Sequence, residues 1–288
     1  MTILNIKTFS TNTCSPHIVL LGAIHGNEQC GTHAINKLIE NILAKKIILK
    51  TGKITCIPIC NPLAYKQNKR FIDNDLNRNF ETNTLKNTYE ETLRKQLRPI
   101  IQSADILLDL HSYNSFGNEF CFLGTSNKHE IDFCLNLGVN DFIYGWSEAF
   151  KHNQFSIGTV EFARLHGAIA TTLECGHHHN PQNSQIAYQA ILNALAYCNI
   201  ITQPPPKPTD HNFYKMQQVF YKQNEGSLTK TWNNLDFVHK DQIIAKMDNS
   251  SSIIAPKDGY VILPKNYAEI KKEWFYFATK ERFQVPIA

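Results

Sequence analysis

Short runs of apolar residues alternate along this chain with longer stretches in which apolar positions recur every three or four residues. The compact runs predict strands near His17–Ala23, Lys53–Cys60, Asp105–Leu110, Glu119–Leu123 and Ala168–Glu174. The longer periodic stretches predict helices near Gly31–Ala44, Leu85–Ser103, Lys128–Leu137 and Gln182–Cys198. Strands and helices taken in turn predict an α/β fold, with a mixed central sheet flanked by helices. Ligands of such folds gather at the carboxyl ends of the strands.

The alternation breaks at Gln203-Pro204-Pro205-Pro206-Lys207-Pro208. A proline run cannot continue a helix and favours extended geometry, so it reads as a semi-rigid linker. Beyond it come short strand-like pieces with turn signals, such as Ile253 to Leu263. The expected division is therefore an α/β domain over 1–202, a linker over 203–208 and a small β-rich C-terminal domain over 209–288.

Composition narrows the picture by exclusion. The 288 residues include 42% hydrophobic and 19% charged, enough to bury a full core and too ordered a mix for a disordered chain. The 29 basic and 25 acidic residues leave a net charge of +4 without a basic block, which argues against nucleic acid or a membrane surface as partner. No apolar run is long enough to span a bilayer, and Met1 to Ser10 does not read as a signal peptide. A cytoplasmic address is expected, and eight scattered cysteines agree with it. Cys56 and Cys60, four apart on a predicted strand, are expected on one face as buried free thiols.

Chemistry concentrates where the predicted strands end. Leu20 to Ala23 run into Ile24-His25-Gly26-Asn27-Glu28, where a turn into a helix lets His25 and Glu28 face one point. A second strand ends in Asp109-Leu110-His111, with Asp109 on the same face as His111 and able to orient it. A third ends in Leu173-Glu174-Cys175-Gly176. Two histidines and a glutamate, with a fourth position left for water, form the ligand set of a catalytic zinc. Glu174 is then a spare carboxylate placed to take a proton from the metal-bound water. Each piece also has a plain reading, as a hydrogen-bonded strand-end side chain. The run His177-His178-His179 does not read as a second site, since consecutive side chains on a loop rarely converge on one ion.

The polar segment from Asn61 to Phe80 predicts an irregular loop rich in carboxylate-binding groups. Arg78 offers a planar fork and Asn77 an amide donor, while Arg70 could stabilise an oxygen on which charge develops. A surface loop whose arginines pair with Asp73 and Asp75 is the other reading of the same composition.

Taken in order, His25-Gly26-Asn27-Glu28, Asn61-Pro62, Arg70 to Phe80 with its Asp75-Leu76-Asn77-Arg78 core, Asp109-Leu110-His111, and Leu173-Glu174-x-Gly176 resemble the succinylglutamate desuccinylase/aspartoacylase family, relatives of the zinc carboxypeptidases. The resemblance covers about the first 180 residues. It implies a zinc carboxypeptidase-like fold, one zinc ion on His25, Glu28 and His111, and Glu174 as general acid and base. It also implies that Arg70 polarises the scissile carbonyl and that Asn77 and Arg78 hold the α-carboxylate. Arg164 falls where aspartoacylases carry an arginine for the substrate's side-chain carboxylate. In the C-terminal part, Lys271-Lys272-Glu273 is similar to the segment by which aspartoacylases close the mouth of their site, and Tyr267 lies near a tyrosine of that segment, out of register. The expected activity is zinc-dependent hydrolysis of a small acidic N-acyl amino acid. A zinc carboxypeptidase acting on a small peptide and a non-catalytic zinc- or carboxylate-binding module are the alternatives.

Overall fold

The computed structural model describes all residues except 1–2, 82–86, 125–126, 151–155, 205, 207–209 and 284–288. The first half of the chain forms β1 (Lys7–Ser10), β2 (His17–Gly22), α1 (Cys30–Leu43), β3 (Lys53–Ile57), α2 (Pro62–Lys66), α3 (Tyr89–Gln102) and β4 (Ile106–Tyr113). It continues through β5 (Phe120–Leu123), α4 (Lys128–Leu135), β6 (Asp141–Tyr144), α5 (Trp146–Ala149), α6 (Thr159–Leu165), β7 (Ile169–His177) and α7 (Asn183–Tyr197). The C-terminal part holds β8 (Asn212–Tyr221), β9 (Gly226–Leu228), β10 (Asp236–Val238), β11 (Ile243–Met247), β12 (Ser252–Ile254), β13 (Gly259–Ile262) and β14 (Glu273–Glu281).

The main sheet runs β1-β3-β2-β4-β7-β5-β6-β8-β14-β13-β10, and β12-β11-β9 form a second, three-stranded sheet. The centre, β3-β2-β4-β7, is parallel. Every residue of β2 and β4 is buried, as expected of parallel strands covered on both faces. Alternation sorts their side chains between two cores. Ile18 and Leu20 pack under α1 and α7, while Val19 and Leu21 pack under α3 and α6. The fold is mixed α/β with a helix-flanked central sheet and a β-rich C-terminal part.

Local chemistry moves several predicted boundaries. The expected helix Leu85–Ser103 is described from Tyr89, because Thr88 is extended and its hydroxyl accepts from the Glu91 N–H as an N-cap; residues 85 and 86 lie outside the described residues. The segment expected to be irregular carries the short helix α2, started by Asn61 as N-cap and Pro62 in the first turn. Cys56 and Cys60 do not share a face. The strand ends at Ile57, so alternation stops, and the two buried free thiols lie in the cores on opposite sides of the sheet. Residues 205, 207 and 208 of the proline-rich stretch lie outside the described residues. After it, β8 pairs in parallel with β6, so the C-terminal strands extend the main sheet. Tyr214, Met216, Ile262 and Tyr276 of that part share a core with Tyr113, Phe120 and Ile143.

Candidate metal and substrate site

The turn after β2 is tight for a reason that a single residue shows. A side chain at Gly26 would place its first carbon 2.2 Å from backbone atoms of Ala64 and Tyr65, so α2 can lie against the turn only because residue 26 is glycine. The Gly26 N–H donates to the Arg70 carbonyl at 3.2 Å, and the Glu28 N–H to the His25 carbonyl at 3.0 Å. That turn brings His25 Nδ1 to 2.9 Å from Glu28 Oε1. From the neighbouring strand, His111 Nδ1 lies 2.8 Å from Glu28 Oε2. The β4–β7 register sets His111 directly beside Glu174. One nitrogen of each histidine and one oxygen of Glu28 all lie within 4.8 Å of one another.

Each outer nitrogen has a carboxylate beside it, aligned as a hydrogen bond at His25 and not at His111. Asp75 Oδ1 lies 2.9 Å from His25 Nε2, and Asp109 Oδ2 lies 3.0 Å from His111 Nε2 at ion-pair distance. Carboxylates behind imidazoles fix ring orientation and raise ligand basicity. His25 Nδ1 is buried and close to Glu28 but without hydrogen-bond alignment to any partner. Burial would raise the Glu28 carboxyl, yet His25 and His111 hold it well below its ordinary value. Burial would lower His111, yet Asp109 and Glu28 hold it well above. Two imidazoles and a carboxylate converge here under an excess of buried negative charge, so the donor set and its electrostatics fit a zinc ion.

Glu174 stands beside this group at the end of β7, 9% exposed, and its Oε2 has no hydrogen-bond partner. Burial, with Glu28 and Asp109 adding to it against the pull of His111 and Arg70, pushes its carboxyl up to about 8. Arg70 reaches over the group, donating to Glu28 Oε1 at 3.1 Å and to Asp75 Oδ2 at 3.2 Å.

The arginine segment is anchored by α3. Buried Glu90 accepts from the backbone N–H groups of Ile72 at 2.7 Å, Asp73 at 3.0 Å and Asn74 at 3.2 Å, and from Asn61 Nδ2. Arg94 adds bonds to Asn74 Oδ1 and the Asp75 carbonyl. Asn77 is oriented from α6, where its Oδ1 accepts from the Thr159 N–H at 2.8 Å and from the Thr159 hydroxyl. With the oxygen so engaged, the Asn77 amide N–H groups remain for another acceptor. Arg78 bonds to the Asn77 carbonyl and has no carboxylate within 4 Å among the described residues.

All of His25, Glu28, Arg70, Asn77, Arg78, His111, Arg164 and Glu174 line one cavity of about 270 Å³, near the lower end of small-ligand clefts at roughly 300–1,000 Å³. Arg164 enters it already bound, with Nε 2.8 Å from Glu130 Oε2 and a second nitrogen 2.9 Å from Oε1. The C-terminal part closes another side with Tyr221, Lys265, Glu273 and Tyr276. Tyr267 is 97% exposed, and Tyr276 is the tyrosine of that region in the wall, nine residues further on along β14. His178 also lines the cavity, its Nδ1 2.8 Å from the Ser112 hydroxyl, while His177 stacks on Phe116.

Residues 14–198 match the succinylglutamate desuccinylase/aspartoacylase catalytic domain. The chain belongs to this family. A probable aspartoacylase from Nostoc sp. is 30% identical over 236 residues, which span 77% of this chain and 70% of that protein. The human N-acyl-aromatic-L-amino acid amidohydrolase (carboxylate-forming) is 29% identical over 133 residues, 42% of this chain and 40% of that one. The crystal structure of a succinylglutamate desuccinylase/aspartoacylase from Rhodobacter sphaeroides shares the fold, with a TM-score of 0.80 at 16% identity over 97% of this chain and 90% of that one. The family's N-acyl amino acid deacylases are hydrolases, and the His25, Glu28 and His111 group is the possible metal site of this member.

Two residues of the family member's site, Asp75 and Glu90, have no site role that the sequence alone assigns. In the sequence Asp75 is a member of the Asp75-Leu76-Asn77-Arg78 motif or a partner for a loop arginine, and nothing there places it behind His25. Glu90 carried no signal beyond a charge in a predicted helix. The Asn61-Pro62 pair, an N-cap followed by a first-turn proline, does signal α2, the helix on which Gly26 packs.

Proposed function

We propose that this chain hydrolyses the amide bond of a small N-acyl amino acid, using one zinc ion held by His25, Glu28 and His111 and Glu174 as general base and acid. The observation that carries the reading is the convergence of those three donor atoms within 4.8 Å beside a buried carboxyl with an uncommitted oxygen. When bound, zinc supplies a Lewis acid that acidifies water and polarises a carbonyl. Glu174, ionised once a cation's charge offsets its burial, takes a proton from the attacking water and returns it to the departing amine. Arg70, in the same cavity, stabilises the charge that develops on the carbonyl oxygen. Arg78 grips the free α-carboxylate with its open fork and Asn77 adds an amide donor.

A peptide substrate, as in a zinc carboxypeptidase, needs an open groove. Residues 209–288, proposed as a cover over the site, put Tyr221, Lys265 and Glu273 into the cavity wall and favour a compact substrate. A non-catalytic module has no use for a spare Glu174. Free cysteines and the lack of any helix long and apolar enough to cross a membrane among the described residues favour a cytoplasmic address.

The test is a panel of N-acetyl and N-succinyl amino acids and short peptides, assayed with zinc and again after chelation. Chelation-sensitive release of free amino acid from N-acyl substrates is expected. Cleavage of peptides alone would favour the carboxypeptidase, and zinc binding without turnover of any substrate would reject the enzyme.

A further inference from the structure

We infer that the substrate carries one carboxylate and an aromatic or other large apolar group, rather than a second carboxylate; this rests on the hydrolase reading above and narrows it. Three of the four arginine and lysine side chains that line the cavity are already paired with carboxylates. Arg70 is paired with Glu28 and Asp75, and Lys265 lies 3.1 Å from Glu273. Arg164 is gripped through two of its nitrogens by Glu130, donates to the Ala170 carbonyl at 2.7 Å, and has Glu161 3.8 Å away on its remaining side. Among the described residues, Arg78 is the cavity arginine with no carboxylate within 4 Å. One open guanidinium matches one substrate carboxylate.

A second carboxylate could reach Arg164 only by displacing Glu130, whose side chain is 3% exposed and also accepts from the Gly124 N–H. That would strand a buried charge without its partner, the costly way to break an ion pair. Glu161, in the same lining and 3.8 Å from Arg164, would stand close to the incoming anion.

What flanks Arg164 is instead aromatic. Trp146 shares a recess with Gly124 and Arg164 and is the hub of a ring cluster, with ring centres 5.0 Å from Phe122, 5.3 Å from Phe150 and 4.7 Å from Tyr276. All four rings line the main cavity. Such a wall gains by covering apolar surface and offers edge-to-face partners to another ring. Glu130 thereby acts as a specificity residue at a distance. It neutralises Arg164 and leaves the recess to Trp146.

The experiment uses the full chain loaded with zinc. Its kcat/KM is compared on N-acetyl-L-phenylalanine, N-acetyl-L-aspartate and N-succinyl-L-glutamate. A preference of about a hundredfold or more for the phenylalanine compound is expected, since an anion that must break a buried pair is strongly rejected. Equal or faster hydrolysis of either dicarboxylate overturns this inference and leaves the hydrolase reading standing. No turnover of any of the three would reject that reading and the inference with it. Binding supplies a readout apart from turnover. In the Glu174→Gln variant, N-acetyl-L-phenylalanine should change tryptophan fluorescence at lower concentration than N-acetyl-L-aspartate, and adding Trp146→Phe should abolish the change. The reverse order of affinities overturns the inference. Glu130→Gln, if folded by circular dichroism, should raise activity on the dicarboxylates at least about tenfold relative to the phenylalanine compound. Should that variant not fold, the wild-type preference decides alone.

Discussion

Asp75 places one carboxylate oxygen 2.9 Å from Nε2 of His25, a residue 50 positions earlier in the chain, and gives its other oxygen to Arg70. One side chain thus ties a proposed zinc ligand to the proposed carbonyl clamp. Burial would raise its carboxyl, but His25 and Arg70 hold it well below the ordinary aspartate range, so it stays charged at neutral pH. Asp75→Asn keeps the shape and removes that charge. Zinc affinity, measured by competition with a chromogenic chelator, should fall by about 10–100-fold, the usual loss when a carboxylate behind a ligating histidine is removed. Unchanged affinity would show that the contact does not support the ligand.

Glu174 is close to the histidines yet outside the donor group that converges on one point. Glu174→Gln should therefore leave zinc stoichiometry at one per chain while kcat falls by about 2–4 powers of ten, the range of general acid–base contributions. Metal content by atomic absorption and turnover of the best substrate are read on the same sample. Loss of zinc would assign Glu174 to the metal, and wild-type turnover would remove it from the chemistry.

Much of this site was legible because buried parallel strands read as continuous apolar runs. In β4 every residue is buried, so Asp109 and His111 stand out as polar residues that need a reason. The same logic marks Glu174 in β7. What stayed hidden depends on contacts between segments with no periodicity of their own. Glu130 reaches Arg164 across 34 positions and turns a basic residue expected to bind an anion into half of an ion pair. The β6–β8 pairing that joins the C-terminal strands to the main sheet links residues some 70 apart, with no register written in either strand. Cys60 changed sides because the strand ends at Ile57, three residues sooner than its apolar composition implied.

Glu90 anchors the arginine segment from α3. Its two oxygens receive three consecutive backbone N–H groups of the loop that carries Asp75, Asn77 and Arg78. Glu90→Ala strands those donors and should destabilise the fold by about 1–3 kcal/mol, the cost of buried unsatisfied polar groups. Urea unfolding measures it. The Michaelis constant should rise with it as Arg78 loses its position, and Glu90→Gln, which keeps one acceptor oxygen, should recover part of both effects. Wild-type stability in the alanine variant would mean that the loop holds itself.

The pH dependence of stability should carry the signature of His178. Burial first, then the charges of His177, Arg70 and His179 against the opposing pull of Glu28, push this imidazole down from 6.5 to about 4. Between those two values the unfolded chain binds a proton there that the folded chain does not. Stability therefore falls as pH drops from about 6.5 toward 4, and above 6.5 the group contributes no slope because it is neutral in both states. His178→Gln removes the titration while keeping a hydrogen-bonding group near Ser112. Chemical denaturation at several pH values should then give the variant a shallower loss of stability than wild type across that window, with parallel curves from pH 7 to 8. Equal slopes below 6.5 would mean that His178 is protonated in the folded protein, and the close, neutral contact between its ring and Ser112 would have to be redrawn.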